Sequence, residues 1–152
     1  MMSEFENQFS ELQGDMISIC MEYVEDRTDK VYVYASQEEG VTSSNFFYLL
    51  NNMYAEPHNL NEALENGERE YDVSADRHFA VLDILNENMK KVTSLCKTYD
   101  IDMPTELKLI YDAKSGKFQA SYKYDLVYTH DDVKTADHIA DEWFEEVKNN
   151  RL

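Results

Sequence analysis

The stretch KVYVYASQEEGVTSSNFFYLL, residues 30–50, decides the fold of this chain. In its first part, valine and alanine alternate with Tyr32 and Tyr34, a period of two that predicts a strand with two unlike faces. Residues 37–40 are polar and end in glycine, which is typical of a turn. Residues 44–50 are rich in aromatic side chains and predict a second strand. The two strands should pair as an antiparallel hairpin.

The segments nearest to this hairpin show different periods. A helical stripe precedes it and consists of Phe5, Phe9, Leu12, Met16, Ile19 and Tyr23. Ser3 is the expected N-cap of that helix, and Gly14 interrupts its polar side. After the hairpin, residues 53–60 could add a third strand, which Pro57 would shorten or confine to an edge. Residues 61–72 are polar and predict a loop or a short irregular helix.

A second helix, a second hairpin and a last helix complete the pattern. The second helix should begin near Asp72 or Ser74, and its apolar stripe ends at Tyr99. Residues 107–124 alternate on both sides of a glycine-containing turn, which predicts the second hairpin. The last helix is expected to start between Thr129 and Asp132. Its buried face should consist of Val133, Ala136, Ala140, Trp143 and Val147.

This order of elements predicts an α+β fold in which three helices pack on an antiparallel sheet of two hairpins, with four or five strands. A length of 152 residues fits a single domain over residues 1–152. The longest unbroken apolar run is residues 46–50, far short of the ~20 residues that span a bilayer. The acidic N-terminal segment is unlike a secretory signal. We therefore expect a cytoplasmic protein without a membrane partner.

The charge of the chain is strongly negative and unevenly distributed. The formal net charge is -17, and residues 1–26 carry seven acidic side chains and no basic one. Residues 125–146 carry eight acidic side chains against Lys134, whereas residues 90–123 hold seven lysines. Such a surface repels phosphate backbones and attracts basic proteins, so nucleic acid is not the expected partner. The alternative is that the acidic charge only keeps the domain soluble.

Residues suited to catalysis or metal binding are sparse. The four histidines are His58, His78, His130 and His138, and no two of them share a helix face at i+3 or i+4. The acids after His130 resemble ligands, but capping of a helix start is the simpler interpretation. Cys20 and Cys96 lack metal or redox spacing and are expected to be reduced and buried. We expect no enzyme, no metal and no cofactor.

The last predicted helix carries the clearest candidate for a binding surface. Asp137, Asp141 and Glu145 lie at i, i+4 and i+8 on one face, with Glu142 beside them. Like charges at this spacing destabilise an isolated helix by about 0.2–0.5 kcal/mol per pair. A protein selected for stability alone would alternate the signs, so the row indicates a use. A solvated face without a partner is the alternative.

Two further pairs of residues are candidates for partner contacts. Glu38 and Glu39 lie in the first predicted turn and would extend the acidic field if the fold brings them near the last helix. Tyr32 and Tyr34 could supply aromatic contacts, because tyrosine is enriched at binding hot spots. The alternative for the tyrosines is the second face of a sheet covered on both sides.

The two hairpins carry a family resemblance. The first pattern is residues 30–35 (KVYVYA), a short acidic turn and residues 44–48 (SNFFY); the second comprises residues 109–112 (LIYD), 115–118 (SGKF) and 122–125 (YKYD). These patterns resemble the YezG-type immunity proteins, cytosolic antidotes encoded with secreted LXG or type VII nuclease toxins in Gram-positive bacteria. Members often carry a Trp shortly before the second hairpin, where this chain reads DMPT at residues 102–105. The resemblance implies a non-catalytic protein that binds and neutralises a toxin domain.

The leading hypothesis is therefore an immunity protein that neutralises a cognate basic toxin domain, of the nuclease type, by stoichiometric occlusion through an acidic surface. The expected contacts are Asp137, Asp141, Glu142, Glu145, Glu38, Glu39, Tyr32 and Tyr34. An acidic adaptor or chaperone for a basic cellular protein is the alternative. A small hydrolase that uses carboxylates would need a deep pocket with carboxyl groups of shifted pKa. One core is expected to bury all of the apolar stripes, which leaves no apolar face for a second copy and favours a monomer.

Overall fold

The computed structural model describes residues 3–129, 131 and 133–152. Its elements are α1 (Glu4–Tyr23), β1 (Lys30–Glu38), β2 (Val41–Leu50), β3 (Met53–Ala55), a 3₁₀ helix (Pro57–Ala63), α2 (Ala75–Thr98), β4 (Glu106–Asp112), β5 (Phe118–Lys123) and α3 (Ala136–Asn150). This order confirms the predicted α+β class. Within the described part of the chain, no helix is both long enough and apolar enough to cross a membrane.

The five strands form one antiparallel sheet in the order β3-β2-β1-β4-β5. The first hairpin is thus joined to the second through β1, which pairs with both β2 and β4. In this register, Tyr32 lies opposite Phe47 on β2 and Ile110 on β4. Because β1 is central, its alternating residues can be covered on both faces of the sheet. The short strand β3 and the strand β5 are the two edges.

The first face of the sheet packs against α1 and α2. Its central side chains, Val31 and Val33, are fully buried together with Met16 of α1 and Leu85 of α2. The hydroxyl of Ser3 accepts a hydrogen bond from the N–H of Glu6 at 3.1 Å, which confirms the predicted N-cap of α1. This face holds the larger of the two cores.

The second face of the sheet is covered by α3. Tyr32 and Tyr34 of β1 and Phe47 of β2 form a smaller core with Trp143 and Val147 of α3. The three layers are therefore a helix pair, the sheet and a single helix. The alternation of Val and Tyr in β1 follows from this arrangement, because each residue type supplies one of the two cores.

The predicted start of the last helix is wrong, since α3 begins at Ala136. The carboxylate of Asp131 accepts hydrogen bonds from the N–H groups of Val133 and Lys134 at 2.9 and 2.8 Å, which forms a turn where the helix was expected. Val133, predicted to be buried, is 77% exposed for the same reason. His130 and Asp132, on which the capping interpretation also rested, lie outside the described residues.

The segment between β2 and α2 is more regular than predicted. The third strand is only Met53–Ala55, and the 3₁₀ helix Pro57–Ala63 follows it. The side chain of Asn61 fixes the next stretch, because it accepts from the N–H of Tyr71 at 2.8 Å and donates to its carbonyl at 3.1 Å. The helix α2 then starts at Ala75, with Ser74 as its N-cap, which confirms the start predicted near Ser74.

Candidate functional site

The acidic row of the last helix is exposed on a helix with a well-defined start. The hydroxyl of Thr135 accepts a hydrogen bond from the N–H of His138 at 3.4 Å, and Nδ1 of His138 accepts one from the N–H of Thr135 at 3.1 Å. This reciprocal pair is a capping box. Asp137, Asp141 and Glu145 follow on the solvent side, and all three are exposed. The row therefore projects from a helix whose first turn is capped.

The members of this row differ in their local partners. Asp137 accepts a hydrogen bond from the side-chain amide of Asn45 on β2 at 3.4 Å. Glu142 forms an exposed ion pair with Lys134 at 2.8 Å, and this hydrogen bond raises the pKa of Lys134. Among the described residues, neither Asp141 nor Glu145 belongs to an ion pair.

Glu38 has a different place from the one that its turn position suggested. Its side chain is only 2% exposed. Its carboxylate accepts hydrogen bonds from the N–H groups of Val127, Tyr128 and Thr129 at 2.9, 3.3 and 3.0 Å, and from the hydroxyl of Thr129 at 2.5 Å. Glu38 thus holds the segment that leads into α3 and is hidden from solvent.

The hydrogen bonds around Glu38 also set its ionisation. Burial acts to raise the pKa of Glu38, but the Thr129 hydroxyl and the three N–H groups stabilise the carboxylate more strongly. Its pKa therefore lies below the ordinary value for glutamate. The buried acid remains charged at neutral pH and keeps its four hydrogen bonds.

The fold does bring the first acidic turn to the last helix. Exposed Glu39 lines a cleft of about 540 Å³ together with Asp131 and Asp137. Lys134 lines the same cleft and is the residue that pairs with Glu142. The cleft shares Asp137 with the row on α3. We call the acidic residues of the two together the α3 surface: Glu39, Asp131, Asp137, Asp141, Glu142 and Glu145.

Tyr32 and Tyr34 do not reach the surface. Both are fully buried beneath α3, where Tyr32 stacks on Phe47 with ring centroids 4.7 Å apart. The ring of Trp143 contacts both tyrosines at 6.0 and 6.3 Å. Burial raises the pKa of each phenol. They occupy the second face of a covered sheet, which was the alternative interpretation of their pattern, and in this structure their role is to support α3.

A buried acid that the sequence patterns did not indicate lies beside Tyr34. Glu106, at the start of β4, is 2% exposed and accepts a hydrogen bond from the hydroxyl of Tyr34 at 2.9 Å. Lys108 and Lys123 lie 3.6 and 3.9 Å from its carboxylate. The alternation of β4 placed Glu106 on the polar side of that strand. The alternation of Tyr32 and Tyr34 indicated that this face could be covered, but nothing in the sequence indicated that Glu106 would be buried there.

Groups suited to catalysis are not brought together in the described residues. No group of three or more His, Cys, Asp or Glu side chains there is arranged to hold a metal ion. Cys20 and Cys96 are both free and buried, and burial raises the pKa of both thiols. Buried thiols of raised pKa are poor nucleophiles.

Comparison with known proteins identifies one family. The family model described as "Immunity protein YezG-like" matches residues 5–146, which include both hairpins, all of α2 and most of α1 and α3. A search of curated proteins found no match. The matched range thus also includes the helix that carries the exposed acidic row.

Proposed function

The chain belongs to the family of YezG-like immunity proteins, and on this premise we propose that it binds a cognate toxin domain and neutralises it by stoichiometric occlusion. The proposed toxin domain is basic and acts as a nuclease. The proposed place of action is the cytoplasm of the cell that encodes both proteins. In this role the protein catalyses no reaction, because a toxin whose active cleft is covered is inactive without being modified.

The observation that carries the electrostatic part of this proposal is the exposed row Asp137, Asp141 and Glu145. Its three charges project from one face of a capped helix, and the net charge of the whole chain is -17. A nuclease needs a positive cleft to bind phosphates, so a negative helix face is complementary to it. Long-range attraction between such surfaces raises the rate of encounter by about 10- to 1000-fold.

Each predicted contact residue has a defined part in this proposal. Asp137, Asp141, Glu142, Glu145 and Glu39 would meet the toxin directly, since all five are exposed. The buried residues would act indirectly. Glu38 holds the segment before α3, and Tyr32 and Tyr34 pack under the helix. The toxin would thus bind a preformed surface, which reduces the entropy lost on binding.

The proposal is tested by titrating the toxin encoded beside this gene with the purified protein. A pull-down from lysate of the source cells first identifies the partner. We expect the nuclease activity of the toxin to fall linearly and to reach zero at one equivalent of protein. Binding without loss of activity would favour the acidic adaptor instead, and no binding would refute the proposal.

A further inference from the structure

A second concave surface lies on the opposite side of the sheet from the α3 surface. A groove of about 800 Å³ runs between the C-terminal half of α1 and the β4–β5 hairpin. Its apolar lining consists of Ile17 and Met21 from α1, and of Tyr111 and Phe118 from the hairpin. Phe118 is 42% exposed, although it lies in a strand next to a core. An aromatic ring with this much exposure in a groove is suited to contact with a partner.

The groove has a defined end. The side-chain amide of Gln13 donates a hydrogen bond to the hydroxyl of Tyr122 at 2.6 Å, and Phe9 contacts the ring of Tyr122 with centroids 5.5 Å apart. The helix and β5 are therefore in contact on that side, and they separate beyond Gln13. Since β5 is the edge strand of the sheet, the hairpin side of the groove is open to a partner.

Gly14 lines this groove and has no structural reason to be glycine. It lies inside α1, where glycine destabilises a helix relative to alanine. A Cβ atom at this position would meet no heavy atom within 4 Å, so packing within the chain does not require its absence. The missing side chain widens the groove, and an occupant could approach the backbone of α1 closely there.

The acidic side chains around the groove favour an occupant with positive charge. Glu22, Glu25 and Asp26 line the groove at the C-terminal end of α1. Among the described residues, only Glu25 of these three is in an ion pair, with Arg27 and Arg69. An acidic segment or a nucleic acid would be repelled. A second copy of this chain would also be repelled, because each copy carries a net charge of -17.

We propose that this groove binds a basic amphipathic segment of the toxin polypeptide, with apolar side chains on the floor and Lys or Arg side chains beside Glu22 and Asp26. The inference rests on the proposed function, because it takes the occupant to belong to the toxin. The toxin polypeptide is then held at two surfaces on opposite sides of the sheet. One is the α3 surface and the other is the groove.

The test places a new side chain in the groove. Gly14→Leu places a side chain in the open space of the groove, and Asn7→Leu adds the same side chain at an exposed position two turns earlier in α1. The probes are the toxin polypeptide and a fluorescein-labelled helical peptide made only of Leu and Lys. Their affinities are measured by calorimetry and by fluorescence anisotropy, respectively. A peptide with Glu in place of Lys serves as the charge control.

We expect Gly14→Leu to weaken binding of both probes at least about tenfold, because the new side chain occupies the space of the ligand. Asn7→Leu should bind both as the wild type does, and the Glu-containing peptide should not bind. Unchanged affinities in Gly14→Leu would overturn the groove assignment, while continued inhibition of the toxin would leave the proposed function intact. A wild-type protein that binds the Leu-Lys peptide but not the toxin would instead overturn the proposed function, and with it the assignment of the occupant.

Discussion

The hydroxyl of Thr129 donates a hydrogen bond of 2.5 Å to the buried carboxylate of Glu38, across 91 positions of the chain. The N–H groups of Val127 and Thr129 donate to the same carboxylate at 2.9 and 3.0 Å. The end of β1 thereby holds the segment that leads into α3. The position of the exposed acidic row thus depends on an acid that is itself hidden from solvent.

Replacement of Glu38 should destabilise the protein strongly. Glu38→Ala leaves three N–H groups and one hydroxyl without their acceptor, and we expect the free energy of unfolding to fall by about 3 kcal/mol. Urea denaturation measures this change. As a matched control, Glu145→Ala at an exposed position of α3 should change the free energy of unfolding by less than about 0.5 kcal/mol. Equal effects of the two substitutions would contradict the role assigned to Glu38.

The contribution of Glu38 should depend on pH in a defined direction. Its pKa in the folded protein lies below its value in the unfolded chain, so the ionised form stabilises the fold. The stabilisation is complete above the ordinary glutamate pKa of about 4.3 and is lost as pH falls through the lowered folded value.

The measurement is the difference in unfolding free energy between wild type and Glu38→Gln across that range. We expect a constant difference from neutral pH down to about pH 5.5, and a smaller one below about pH 4. A difference that grows on acidification would show that folding raises the pKa of Glu38 instead of lowering it. Other titrating groups are common to both proteins and cancel in this comparison.

Trp143 should contribute most to the packing of α3 on the sheet. Its ring is 5% exposed and lies 5.2 Å from that of Phe47. Trp143→Ala should lower the free energy of unfolding by about 3–5 kcal/mol, and Trp143→Phe by clearly less. Chemical denaturation followed by circular dichroism checks both, since these variants lack the single tryptophan of the chain. A loss below about 1 kcal/mol in Trp143→Ala would mean that other contacts hold α3.

Two glycine substitutions should change the free energy of unfolding in opposite directions. Gly14→Ala should raise the free energy of unfolding by about 0.5–1 kcal/mol, because the helix gains propensity and the new Cβ meets nothing within 4 Å. Gly116 has a φ of +78° in the β4–β5 turn, a left-handed conformation that is unfavourable for residues with a Cβ. Gly116→Ala should therefore lower the free energy of unfolding by about 1–2 kcal/mol. Thermal unfolding of the two variants beside wild type tests the pair. Destabilisation by Gly14→Ala would reveal a packing role for this glycine.

Local periodicity predicted the elements well because each signal lies within a few residues. The alternation around Tyr32 and Tyr34 identified β1 and its two unlike faces, and the helical stripes identified α1 and α2. The start of α3 was missed because Asp131 favours a cap in sequence but forms a turn in the structure. The capping box of α3 has His138 at the position where Glu or Gln is usual. The sequence signal for a helix start at Ala136 was therefore weak.

The acidic site was only partly predictable because its members are related through long-range contacts. The row Asp137, Asp141 and Glu145 followed from helical spacing alone, and the structure places all three in solvent. Glu38 and Glu39 are neighbours in sequence, yet one is buried against residues 127–129 and the other is exposed. Only the tertiary fold separates them, because the donors to Glu38 are about 90 positions away.

The central claim is that the α3 surface steers and binds a basic toxin, and the association rate measures it most directly. The test variant carries Asp137→Lys, Asp141→Lys and Glu145→Lys. The control variant, Asp76→Lys, Asp83→Lys and Glu87→Lys, changes the net charge equally at exposed positions of α2, a helix that lines neither the α3 surface nor the groove. Stopped-flow mixing with the toxin at low and high salt gives the rates.

At low salt we expect the test variant to associate at least about tenfold more slowly than the control, with a flatter dependence on ionic strength. Both variants should unfold as cooperatively as the wild type. Equal association rates for the two variants would contradict the account, because they would show that only the total charge matters and that the row on α3 does not face the toxin.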